Sequence, residues 1–139
     1  MKTHFLLLPI LLLFLSCEVQ GDLTRDGIQK MIDASNSVLK YEGMLVPTNR
    51  IKVTGAAKIY LENNQFQLEL DDFSISEGPD LKVYLSKSNT PIDFVNLGNL
   101  TTETVYTVPQ NVDVSVYSYV LIHCQQYNHL FAVAELTKK

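Results

Sequence analysis

The 139-residue sequence has no tryptophan, only two cysteines (Cys17 and Cys124), and little positive charge. Its 11 Lys and Arg stand against 15 Asp and Glu, giving a formal net charge of −4. Each shortage excludes something. Two cysteines cannot staple a disulfide-dense miniprotein. An acidic balance without a basic cluster excludes a nucleic-acid binder, because displacing counterions from phosphates needs grouped cations. At 46% hydrophobic and 19% charged residues, the chain is not a disordered tail. It carries no Gly-rich phosphate loop, no His-Glu-x-x-His and no Ser-His-Asp order in its usual context. No catalytic set is therefore legible, and a chain without turnover chemistry of its own is the expectation. The length fits one domain.

The long apolar run that is present lies at the N-terminus. Lys2 is followed by an uncharged stretch over residues 5–15, interrupted by Pro9. That stretch is too short to cross roughly 30 Å of hydrocarbon. It ends in Phe14, Leu15, Ser16 and Cys17, which resembles a bacterial lipobox, with Leu15 larger than the residue many lipoboxes carry there. On this reading residues 1–16 are a lipoprotein signal peptide and Cys17 becomes the lipidated N-terminus. The protein is then an extracytoplasmic, membrane-anchored lipoprotein of a bacterial cell envelope, with the membrane as a partner through that lipid. Acyl chains contribute about 0.8 kcal/mol per buried methylene, enough for stable anchoring when several are attached. The alternatives are a secretory signal cleaved elsewhere or an uncleaved anchor. Lipid on Cys17 would leave Cys124 as the one thiol of the mature chain, in an oxidising compartment.

Residues 17–40 read as a polar tether followed by an amphipathic helix over about 24–40. Ile28, Met31, Ile32, Ser35, Val38 and Leu39 recur there at steps of three and four. From Tyr41 the period changes to two. Strands are predicted over 42–46, 52–61, 65–72, 81–86, 94–97, 102–108, 117–125 and 129–136, separated by clusters of Asn, Pro, Gly and Asp. Many short strands at this spacing predict an all-β domain over 41–139, an antiparallel β-sandwich of jelly-roll-like form.

Two segments go further than pattern. Asp71 to Ser86 contains Phe73, then Gly78, Pro79, Asp80 and Leu81, then Val83, Tyr84 and Leu85. Val120 to Leu136 is an apolar run reaching Cys124, a turn, and a last strand with Phe131 that closes on Ala134, Glu135 and Leu136. In this order, with Leu97, Gly98 and the run from Val105 to Pro109 between them, the segments resemble the DM-thirteen, or electron-transfer DM, domain over roughly residues 39–136. Two positions depart from it. His123 stands where that family usually has an aromatic such as Trp, and Ala132 where a Gly often follows the Phe. The resemblance implies an accessory redox or electron-transfer role at a cell surface, with Cys124 as the centre. The sulfur would be a bare thiol or a ligand to a prosthetic group such as haem or a metal. It also implies a redox or protein partner on the surface.

The residues themselves admit a plainer reading. A lone Cys in a β-core is commonly a small hydrophobe. His123 and Cys124, as neighbours on a strand, point to opposite faces. A tight turn over residues 126–129 would set Cys124 opposite Phe131 in an apolar setting, where a thiol is inert. Phe73, Phe131, His123 and His129 are the candidate supports of Cys124. The spacing of His123, Cys124 and His129 matches no established zinc pattern, and no metal site is assigned. Gly78, Pro79 and Asp80 form a turn: Gly permits positive φ, Pro fixes one angle, and Asp bonds the backbone ahead. A non-redox structural or protein-binding lipoprotein, using the tyrosines from Tyr84 to Tyr127 as a surface for a partner or a sugar, is the second reading.

Overall fold

A computed structural model describes residues 30–139, which form nine β-strands. They are β1 (Ser37–Pro47), β2 (Val53–Glu62), β3 (Gln65–Ile75), β4 (Leu81–Ser86), β5 (Phe94–Asn99), β6 (Val105–Thr107), β7 (Tyr119–Cys124), β8 (His129–Glu135) and β9 (Thr137–Lys138). The expected signal peptide, Cys17 and the first part of the expected helix lie outside the described residues. Where that helix would continue, the chain instead turns at Asp33–Asn36 and enters β1 at Ser37. Asp33 starts the turn by accepting the Ser35 N–H at 2.9 Å. Val38 and Leu39 then pair with Leu61 and Tyr60 of β2. The ladder outweighs the local three-and-four spacing, because a strand's preference is set by the neighbours it packs against.

All eight strands expected from the alternation are present, and every pairing is antiparallel. The layout differs from the expected sandwich. The strands make one sheet in the order β5-β4-β7-β8-β1-β2-β3-β6, with β9 added on β1. The sheet curls until β5 and β6 approach each other, giving a nearly closed barrel. The corner is β1. Residues up to Met44 pair with β2, and Leu45 to Pro47 pair with β8. Gly43 makes this turn of the sheet feasible, because a Cβ there would overlap the Glu135 carbonyl. On the open side Tyr106 of β6 donates its hydroxyl toward the carbonyls of Asn99 (3.2 Å) and Glu103 (3.1 Å).

The interior is filled by alternate residues of every long strand, among them Ile59, Leu68, Val83, Leu85, Val120 and Ile122, all without solvent contact. Burying side chains of this size contributes about 1.5–3 kcal/mol each. Tyr106 belongs to this core, Tyr84 is buried on the outer wall, and Tyr127 is exposed in a turn. The tyrosines therefore do not form one face.

Candidate functional site

Cys124 is the last residue of β7 and is fully buried. Its backbone partners are Leu81 at the start of β4 and His129 at the start of β8. The turn before β4 is tied to it directly, since the Gln125 N–H donates to the Asp80 carbonyl at 3.0 Å. Gly78 in that turn is packed so closely that an added Cβ would lie 2.9 Å from both Leu81 Cδ2 and Phe131 Cζ. Leu81 and Phe131 are thus seated directly against Gly78, and a larger residue there would push their side chains aside. Asp80 also pairs with Lys82 at 2.8 Å. The turn residues act here as the cover of the barrel end where Cys124 sits.

The register of the hairpin differs from the expected one. Cys124 lies opposite His129, not Phe131, because residues 125–128 form the turn and Asn128 adopts a positive φ of 47°. His123 pairs with Leu130 and Ile122 with Ala132, so Phe131 is the extra residue of a β-bulge. The bulge turns Phe131 into the core, and Thr48 engages the carbonyls it displaces. The Thr48 hydroxyl donates to Leu130 O at 2.6 Å and the Thr48 N–H to Phe131 O at 2.9 Å. His129, exposed, meets the edge of Phe131 at 5.3 Å between ring centres. The shift thus leaves Phe131 in the Cys124 core cluster and adds an imidazole directly across the strand.

His123 is on the other face of β7, as strand alternation requires. Its ring packs on Tyr84 at 5.5 Å, and Tyr84 stacks on Phe94 at 4.1 Å. Its Nε2–H donates to Asn128 Oδ1 at 3.1 Å, and its buried Nδ1 has no partner among the described residues. Burial holds the imidazole below its ordinary pKa, keeping it neutral. His123 is therefore separated from the sulfur by the sheet, although it adjoins Cys124 in sequence.

Phe73 is half-buried on β3 and borders an open groove of about 500 Å³ with Ile75, Glu77, Gly78, Leu81 and Leu100. Cys124, fully buried, does not line this groove, whereas its strand partner Leu81 does. A fully buried sulfur does not fit a haem ligated by Cys124, since the ring would have to displace the core side chains packed around it. Nor do three His, Cys, Asp or Glu side chains converge as a metal site among the described residues. What the fold assembles is a buried thiol, an imidazole across from it at the surface, and an aromatic ring against that imidazole which belongs to the same core cluster as the thiol. Sequence reasoning missed the Cys124–His129 pairing, because a bulge shifts register without a local motif to announce it.

The model of the electron transfer DM13 family matches residues 46–136. No curated protein and no solved structure matches the chain. The matched span runs from the end of β1 to Leu136 and takes in the Gly78 turn, Cys124 and Phe131. The chain therefore belongs to the electron transfer DM13 family.

Proposed function

We propose that this protein is an accessory electron-transfer module of the cell envelope, anchored through lipid on Cys17, with Cys124 as its redox group. The anchoring rests on the apolar run ending in Ser16 and Cys17. The observation that carries the redox role is the pairing of the buried Cys124 with the exposed His129 across the hairpin, beside Phe131. A fully buried sulfur cannot undergo thiol–disulfide exchange with a partner protein, since that reaction needs direct attack on an accessible sulfur. Electron exchange needs no such contact. One electron leaves the sulfur for a strongly oxidising one-electron acceptor protein docked at the hairpin, the thiol becoming a thiyl radical, and its proton is released with the cross-strand His129 imidazole as the proposed acceptor. The reverse step restores the thiol.

The test is voltammetry of the full-length lipoprotein and of Cys124→Ala, with absorption spectra of both. The expected result is a one-electron wave that disappears in the variant. An identical response from both proteins overturns the cysteine-centred reading, and a chromophore lost in the variant replaces the bare thiol by a ligated group.

The second reading is a non-redox binding lipoprotein. Its support is the outer face of β1, where Met44 (66% exposed) and Val46 (60%) stand side by side.

A further inference from the structure

The outer wall of the barrel carries a second concavity, unconnected to Cys124. It has a volume of about 220 Å³ and is lined by Tyr84, Pro91, Phe94, His123, Gln125 and Asn128. We propose that it binds a single neutral sugar ring. This inference does not depend on the redox reading.

Five observations point to that chemistry. The volume lies below the roughly 300–1,000 Å³ of sites for drug-sized ligands, so the occupant is one ring. None of the six lining side chains is an acid, a lysine or an arginine, so nothing here selects an ion. Phe94 is 37% exposed while it stacks on Tyr84, an aromatic platform with one side open. Sugars present a face of C–H groups that packs on such a surface. The polar edge of the hollow is made of carboxamides. The Gln125 side chain and Asn128 Nδ2 have no hydrogen-bond partner among the described residues. The Asn128 Oδ1 is held by His123, which fixes how that amide is presented. The unpartnered nitrogen on the buried His123 ring adds a polar atom that packing alone leaves unexplained. An apolar floor with hydrogen-bonding amides at its rim matches a pyranose, apolar on one face and hydroxylated at its edge.

The experiment is a ¹⁵N NMR titration of the full chain with methyl glucoside, in wild type, Phe94→Ala and Gln125→Ala. Sorbitol, which has hydroxyls but no ring, is the control. Saturable shifts are expected at residues 91–94 and 123–128, with a dissociation constant of about 1 mM. Each substitution should weaken binding about tenfold. Gln125 is exposed on a turn, so its variant reports on binding even if Phe94→Ala loosens the β5 edge. Absence of saturable shifts overturns the proposal, as does sorbitol matching the glucoside. Unchanged binding in Gln125→Ala overturns it too.

Discussion

Cys124 and His129 are cross-strand partners in which one side chain is fully buried and the other exposed. Directly opposed residues on an antiparallel pair have Cβ atoms about 4.5–5.5 Å apart, so the pair links the core to the surface in one step. If His129 takes the thiol proton, His129→Phe should slow electron exchange at least about tenfold, a barrier change of about 1.4 kcal/mol. Stability should change by less than about 0.5 kcal/mol, as for other exposed positions. Voltammetry across pH 5–9 checks this. An unaltered wave removes His129 from the mechanism.

The burial of Cys124 has its own consequence. The native thiol should resist an aqueous thiol reagent and react fully once the protein is unfolded in urea. Cys124→Ser should destabilise by about 1–3 kcal/mol, because a hydroxyl would be buried without a designed partner. Cys124→Ala should cost about 1 kcal/mol for the small void it leaves. Urea melts separate the two. A serine variant as stable as alanine would mean that the hydroxyl finds a partner or water.

His123 sets a pH dependence of stability whose sign follows from burial. The folded-state pKa lies below the unfolded value of 6.5. Folding therefore favours the neutral ring, whose stability contribution is complete above about pH 6.5 and is lost as pH falls toward the folded pKa. Each unit of separation corresponds to about 1.36 kcal/mol. Burial and the nearby His129 disfavour the cation, while the hydrogen bond with Asn128 favours it. Lys82 pairs with His123 from β4, His129 lies nearby, and Asp80 is engaged by Lys82. Asn128 offers the one hydrogen bond. His123→Phe should abolish the loss that sets in below about pH 6.5. Asp33, Glu42 and Asp113 are held below their ordinary pKa values by hydrogen bonds from Ser35, Lys139 and Ser115 respectively, so their contribution disappears only at lower pH. A variant with the same slope as wild type would assign the loss to other groups.

Most strands were legible because only one face is buried, which forces a period of two, while β4 and β7, buried on both faces, read as apolar runs. Phe66, Leu68 and Leu70 between polar neighbours are the clearest instance of the alternation. The start of β1 was not legible. Val38 and Leu39 fit a helical spacing equally well, and the deciding partners, Leu61 and Tyr60, lie more than twenty residues away. The family was readable from the ordered segments around Gly78 and Cys124. The site's register was not, because the Phe131 bulge is stabilised by Thr48, a contact between distant parts of the chain. Sheet closure was hidden for the same reason, since it depends on β1 changing partners between Met44 and Leu45.

Two glycines separate backbone from side-chain constraint. At Gly43 the obstacle to a Cβ is the Glu135 carbonyl, which is held in the sheet. Gly43→Ala should cost more than about 4 kcal/mol or prevent folding, as a change with a named backbone clash at a buried site. At Gly78 the obstacles are the tips of Leu81 and Phe131, which can shift. Gly78→Ala should cost about 1–3 kcal/mol, in the range of overpacked cores. It should also loosen the cover of Cys124, so the native thiol becomes reactive on a timescale of minutes to hours. Thiol kinetics on the two variants distinguish these cases. A Gly78→Ala protein whose thiol stays protected would show that the turn is not what shields the sulfur.

Closure of the barrel rests on a short strand. β6 has three residues, and Tyr106 ties it toward β5 through the Asn99 carbonyl. Both carbonyls that its hydroxyl approaches belong to exposed residues, so water replaces the phenol when it is removed. Tyr106→Phe should therefore cost about 0.5–1.5 kcal/mol, the net value of one hydrogen bond, because the ring stays packed in the core. The loss should be local. Amide exchange in β6 should accelerate while β4, β7 and β8 keep their protection, since strands with few partners open first. Uniform acceleration across all strands would mean instead that closure between β5 and β6 is part of the global folding unit.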